Sequence, residues 1–232
     1  MLTSNKLVIV GDSLFAEIAH EYFEHDSEYE VVAFAVEEAY RTRDEFHGLP
    51  VLPFETLQDE LDPAAHSVYA AITYAQVNRL RQRLAAEAKA KGFALASYVS
   101  SRAFVWRNVE LGEHVFIFED NTVQPFVKIG SNCVLWSGNH VGHHSTIGDN
   151  VFIASHAVIS GSVDVGENCF IGVNATVVND IAIGRDSWLG PHVVVTRSTE
   201  PQTFWRPARS DRKDESTLEL FGVVPHAAEA AS

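Results

Sequence analysis

The stretch IGDNVFIASHAVISGSVDVGENCFIGVNATVV, residues 147–178, places an aliphatic residue at every sixth position: Ile147, Ile153, Ile159, Val165, Ile171 and Val177. The spacing runs back without a skip through Val141, Leu135, Ile129, Val123, Ile117 and Leu111 to Val105, and forward through Ile183 and Leu189 to Val195. Two residues before most of these positions stands a small or β-branched residue, as at Val109, Val115, Val127, Cys133, Ser145, Val151, Ala157, Val163, Cys169, Ala175, Ser187 and Val193. Neither an amphipathic helix nor an ordinary strand has a period of six. A second period of eighteen lies over the first, in Gly112, Gly130, Gly148, Gly166 and Gly184 and in Asn132, Asn150 and Asn168. Three hexapeptides therefore make one coil, and the coils stack as a parallel left-handed β-helix, a triangular prism filled by the aliphatic residues.

Between Val105 and Thr196 there are about five coils, or roughly 24 Å of prism at the spacing of adjacent strands. Glycine and asparagine tolerate left-handed backbone angles, so their columns are expected at tight corners. Asn121 and Asn139 occupy interior positions one coil apart, an arrangement that predicts an amide ladder between them. No insertion breaks the period, so no catalytic loop leaves the prism and any chemistry must come from residues on the coils.

Residues 1–99 read as a separate α/β domain. Leu7 to Val10 is a buried strand leading through Gly11-Asp12-Ser13 into a helix with Phe15, Ile18, Ala19, Tyr22 and Phe23 on its apolar face. Val31 to Val36, Val51-Leu52 and Val68 to Ile72 read as further strands, and a helix is predicted from Gln76 to Lys91, closed by Gly92. Alternating strands and helices imply a small parallel sheet whose ligands bind beyond the carboxyl ends of its strands. Asp12, Ser13, Glu37, Thr73 and Tyr74 sit there. A single glycine follows the first strand, which disfavours a dinucleotide. The plainer alternative is a domain that only packs against the prism. The β-helix spans residues 100–205. Residues 206–232 form a C-terminal tail with a basic island, Arg206-Pro207-Ala208-Arg209 and Arg212-Lys213, and an alanine-rich end, Ala227 to Ser232, expected to be disordered.

The formal net charge is −14, which argues against nucleic acid as a partner. The segment Met1 to Asp12 is too short for a signal peptide and reads as the approach to a buried strand, and no stretch is long enough to cross a membrane. Cys133 and Cys169 fall on interior positions and read as small core residues in a reducing cytoplasm. Of eleven histidines, the cluster His140, His143 and His144 stands out, because the last two follow Val141-Gly142 and so occupy a coil corner with outward side chains. A zinc site needs histidines on stacked coils, and no pair here is eighteen apart. Surface histidines at a subunit interface are one alternative. A general base is the other, since imidazole accepts protons under physiological conditions.

The segments Gly142-His143-His144-Ser145-Thr146-Ile147-Gly148-Asp149, Ile159-Ser160-Gly161 and Asn168-Cys169-Phe170-Ile171-Gly172-Val173-Asn174-Ala175 resemble a known family. It is that of the bacterial sugar acyltransferases which join a nucleotide-sugar-binding α/β domain to a left-handed β-helix, the sialic acid O-acetyltransferases and bacillosamine-pathway N-acetyltransferases among them. The resemblance covers about residues 6–209. It implies His143 as general base, Gly161 as the residue whose N–H meets the acetyl carbonyl, and Val173 and Pro191 as lining a coenzyme A channel between the subunits of a homotrimer. It also implies acetyl-CoA as co-substrate without a metal, and N-acetylation of a nucleotide-linked amino sugar for a bacterial surface polysaccharide. Three positions depart from the family: His144 stands where an acidic residue is usual, Phe152 replaces a histidine near the coenzyme thiol, and the first domain's glycine-rich turn is Gly11-Asp12-Ser13. The rival readings are a sugar O-acetyltransferase and a non-catalytic or zinc-binding trimeric β-helix.

Overall fold

The computed structural model describes residues 5–208 and 210–223. Arg209 and Ala227 to Ser232 of the predicted tail, and Met1 to Ser4 of the N-terminal segment, lie outside the described residues. In the N-terminal half, β1 (Asn5–Val10), β2 (Tyr29–Val36), β4 (Leu49–Pro53), β5 (His66–Ala70) and β6 (Ala94–Leu95) pair in parallel, and β3 (Glu45–Phe46) pairs antiparallel with β4. The order across the sheet is β3-β4-β2-β1-β5-β6. Helix α1 (Leu14–Asp26) buries Phe15, Ala16, Ala19 and Phe23, which share one face at helical spacing. A one-turn α2 (Leu57–Glu60) leads towards β5.

Helix α3 (Arg79–Ala90) begins three residues later than its sequence predicts. Gln76, Val77 and Asn78 take left-handed angles, φ 54, 51 and 67, so the chain turns before the helix starts. That turn sets Asn78 against the second half of the protein, where it is fully buried.

The second half is a parallel left-handed β-helix with three faces. The first face carries the strands from Tyr98–Val99 to Phe204–Trp205, the second those from Phe104–Val105 to Val194–Val195, and the third those from Glu110–Leu111 to Ala182–Ile183. The second residue of each strand and the residue two before it point inward, and from Val115 to Val195 the interior is buried except at Ile181, which is half-buried. Cys133 and Cys169 belong to this interior as free thiols.

Two corner expectations need correction. From His114 to His192 every sixth residue has a positive φ, and only Gly138 among them is glycine. The column Gly112 to Gly184 is not left-handed. A β-carbon on Gly148 would lie 2.8 Å from the main-chain nitrogen of Glu167 in the next coil, so close approach of backbones demands glycine there. Likewise, Asn121 and Asn139 do not bond each other. Their amides donate to main-chain carbonyls, both of them to that of Trp136, because the coil wall has open acceptors there. The side-chain ladder forms instead at the corner between the third and first faces, where Asn132 Nδ2 donates to Asn150 Oδ1 at 2.8 Å.

That corner fastens the two halves together. Arg81, on the buried stripe of α3 with Leu84, Ala85 and Ala88, donates to the carbonyls of Thr73 (2.6 Å), Asn132 (3.1 Å) and Asn150 (3.2 Å). Burial lowers its pKa to about 10. His114 Nε2 accepts the Ala70 N–H at 2.8 Å, so its Nδ1 carries the hydrogen and donates to Asn132 Oδ1 at 2.7 Å. Burial holds this histidine neutral, its pKa lowered to about 3.

The outward residues of the first face form an aromatic column, Tyr98, Phe116, Phe152, Phe170 and Trp188, broken by Val134. Helix α1 packs on its upper part, with Phe15 5.8 Å and Phe23 5.6 Å from Phe116. Tyr74 covers the lower part, 4.7 Å from Phe170. In the tail, Thr217–Leu220 forms one helical turn closed by a capping box between Ser216 and Glu219.

Candidate active site

His143 and His144 turn the chain from the second-face strand His140–Val141 into the third-face strand Thr146–Ile147. His144 takes the left-handed corner position, φ 59. Its main-chain N–H donates to Pro125 O at 3.2 Å, and its ring stacks on Phe126 at 4.7 Å. His143 donates its main-chain N–H to Gln124 Oε1 at 2.9 Å. The Nδ1 atoms of the two histidines are 3.1 Å apart, and both side chains face solvent.

Gly161 holds the position of His143 one coil later. A β-carbon there would lie 2.7 Å from His143 Cε1 and 2.9 Å from Nε2, so the imidazole fills the space above the glycine. The Gly161 carbonyl accepts the Asp180 N–H at 3.1 Å, whereas its own N–H meets no acceptor among the described residues. A β-carbon on Gly142 would fall 2.5 Å from that nitrogen. Bare glycines on both coils thus leave a main-chain donor open beside an imidazole. Such a pair can take a proton and hold a developing oxyanion.

Val173 and Pro191 lie elsewhere on the prism. Each follows a first-face strand and precedes a second-face strand, so they stack at the edge between those faces. His143 and Gly161 occupy the edge between the second and third faces. Within one chain the second face separates the two groups.

Asp12, Ser13 and Glu37 line one cavity of about 260 Å³ beyond the carboxyl ends of β1 and β2. Arg83 donates twice to the Glu37 carboxylate, at 2.9 Å each, and Arg43 lies 3.3 Å from Asp12. Tyr40, Ile72, Gln76 and Arg83 also line it, without a sign in the sequence that they would. Thr73 and Tyr74 do not line it, because the left-handed turn carries that segment towards the prism. There the Thr73 carbonyl serves Arg81 and the Tyr74 ring packs on Phe152 and Phe170. Phe152, 2% exposed, is a buried residue of this domain contact. A larger cavity, about 460 Å³ and lined in part by Tyr22, Asp26, Arg102 and Glu119, contains neither histidine of the pair nor Gly161. Among the described residues, no three His, Cys, Asp or Glu side chains gather as a metal site, and no helix is long and apolar enough to cross a membrane.

Residues 126–161 match the bacterial transferase hexapeptide family (six repeats), and residues 162–197 match the hexapeptide repeat of succinyl-transferase. Comparison with curated proteins gave no match. Among solved structures, PerB from Caulobacter crescentus, determined in complex with CoA and GDP-perosamine, is 26% identical, with a TM-score of 0.76 over 86% of this chain and 93% of that one. The prism carries transferase hexapeptide repeats over residues 126–197, and the chain is an acyltransferase. The acetyltransferase domain of PglB from Neisseria gonorrhoeae shares this acyltransferase's fold at 21% identity, with a TM-score of 0.77 over 86% and 95% of the two chains. WeeI from Acinetobacter baumannii does so at 21% identity, with a TM-score of 0.67 over 85% and 94%.

Proposed function

We propose that this acyltransferase moves the acetyl group of acetyl-CoA to the amine of a nucleotide-linked sugar, in the making of a bacterial surface polysaccharide. The observation that carries the reading is the open Gly161 N–H beside the His143 imidazole. The acceptor nitrogen attacks the thioester carbonyl, and the new C–N bond forms as the C–S bond breaks. His143 removes the proton released from nitrogen and returns it to the departing thiolate. The Gly161 N–H stabilises the carbonyl oxygen as it gains charge. The likeness to PerB, whose structure contains CoA and GDP-perosamine, favours an amine over a hydroxyl acceptor. Asp12, Ser13 and Glu37 would hold the nucleotide part.

Two observations support a homotrimer with shared active sites. The outward residues of the second face, Phe104, Thr122, His140, Val158, Thr176 and Val194, include no Asp, Glu, Lys or Arg, whereas the third face presents Glu110, Lys128 and Asp164. Val173 and Pro191 could meet His143 and Gly161 across an interface between copies, which brings the edges of two prisms together. The deciding experiment incubates the protein with acetyl-CoA and a panel of GDP-, UDP- and dTDP-linked amino sugars, followed by mass spectrometry. Acetylation of at least one amine is expected. Transfer to hydroxyls alone, or to none of the panel, would overturn the reading.

A further inference from the structure

The 3.1 Å separation between His143 Nδ1 and His144 Nδ1 allows one hydrogen between them. One nitrogen donates it and the other accepts, and the choice fixes the tautomer of each neutral ring. If His143 accepted, its hydrogen would sit on Nε2 and its only lone pair would be tied up in the pair. It could then take no proton from a substrate. If His143 donates, the Nε2 lone pair is free, on the side of the ring that faces Gly161.

We propose that His144 is a positioning residue: its Nδ1 accepts the Nδ1 hydrogen of His143 and so keeps His143 Nε2 unprotonated and ready to act as the base. This rests on the acetyl-transfer reading above and gives it a second residue. His144 is itself held in place by the main-chain bond to Pro125, the left-handed backbone and the stack on Phe126. The other residues recorded against the pair are Gln124, Gly161 and Ser162. None of these neighbours carries an acidic or basic side chain. The arrangement differs from a histidine backed by a carboxylate. The partner here is neutral, so the conjugate acid of His143 gains a hydrogen bond but no opposing charge.

Two measurements on the intact protein test this. Long-range proton–nitrogen NMR of the imidazoles reads the tautomer without any substrate. His143 is expected in the Nδ1–H form in the natural protein and to lose that preference in His144→Ala. Kinetics then read the consequence. His144→Ala should lower kcat by at least about tenfold, short of the ~10⁴-fold that a wrong tautomer costs in a buried triad, with the KM for both substrates unchanged. His144→Asn, whose amide oxygen can accept the same hydrogen, should keep most of the rate. His144→Glu should keep it too and move the inflection of kcat/KM to higher pH, because a carboxylate stabilises the imidazolium. An Nε2–H tautomer of His143 in the natural protein overturns the proposal, as does His144→Ala with unchanged tautomer and kcat. Should the tautomer be as expected while no amino sugar is acetylated, the functional reading falls and the assignment of donor and acceptor stands.

Discussion

Arg81 and Asn132 are joined through both oxygens of the asparagine: Arg81 Nη2 lies 3.1 Å from the Asn132 main-chain oxygen, and Arg81 Nε lies 3.2 Å from its side-chain oxygen. The guanidinium forms no ion pair among the described residues, so carbonyl dipoles and the Phe152 ring, 5.8 Å from its central carbon, compensate for its burial. Arg81→Met keeps the aliphatic stem but strands the carbonyls of Thr73, Asn132 and Asn150. A loss of about 3 kcal/mol is expected, read by urea unfolding as a lower midpoint at constant slope.

The base assignment predicts a kinetic signature. His143→Ala should lower kcat by about 10²–10⁴-fold, because proton removal matters mainly in the transition state. Coenzyme A affinity, measured by calorimetry, should stay nearly unchanged.

Gly161→Ala tests the glycine beside the base. The new methyl would lie 2.7 Å from His143 Cε1, so the ring must move. A displaced base is expected to cost about 10²-fold in kcat, while circular dichroism of the prism stays unaltered.

His114 makes stability depend on pH. Its folded pKa of about 3 lies below the ordinary 6.5, so the folded protein binds fewer protons here than the unfolded chain. The contribution is full above pH 6.5 and is lost as pH falls towards about 3. Over that window unfolding free energy should drop by a few kcal/mol, on the order set by linkage. His114→Asn should be less stable at pH 7 and show a flatter profile between those limits.

Assembly has its own test. Light scattering should give three chains for the natural protein. Val158, 39% exposed at the middle of the second face, would become a buried carboxylate in the proposed trimer when changed to aspartate. Val158→Asp should yield monomers with little activity and an intact prism.

The sixfold aliphatic period made the prism legible because one simple steric rule repeats along it. Other features are legible in the sequence in principle. The aromatic column Phe116, Phe152, Phe170 and Trp188 has a period of eighteen, but it occupies the outward residue of each strand, where attention to the interior misses it. It marks the docking surface of the N-terminal half. A chain cut at Val99 would lay that surface bare, so truncation is a poor probe of nucleotide binding. Arg81 falls on the same helical stripe as Leu84, Ala85 and Ala88, and an arginine on an apolar stripe was the available sign of a buried cation. Gln124 and Phe126 could have been found by stepping back one coil from the histidine pair. The departure of Thr73 and Tyr74 from the crevice was not legible, since it follows from three residues outside glycine adopting left-handed angles because of what they dock against.

Arg81 and Asn78 anchor the N-terminal half to the coils of Asn132, Asn150 and Asn168, and His143 sits on the same run of coils. The reach from crevice to imidazole along the prism is therefore quantised. Because His143 lies between Asn132 and Asn150, the anchored coils carry it with them; moving the docking contacts along the prism by one eighteen-residue coil would shift that reach by about 4.8 Å and leave every direction unchanged. Such a scaffold behaves as a ratcheted ruler. On the proposed function, acceptors that differ by roughly one sugar ring would be matched by whole coils, while smaller differences would be absorbed within the crevice itself.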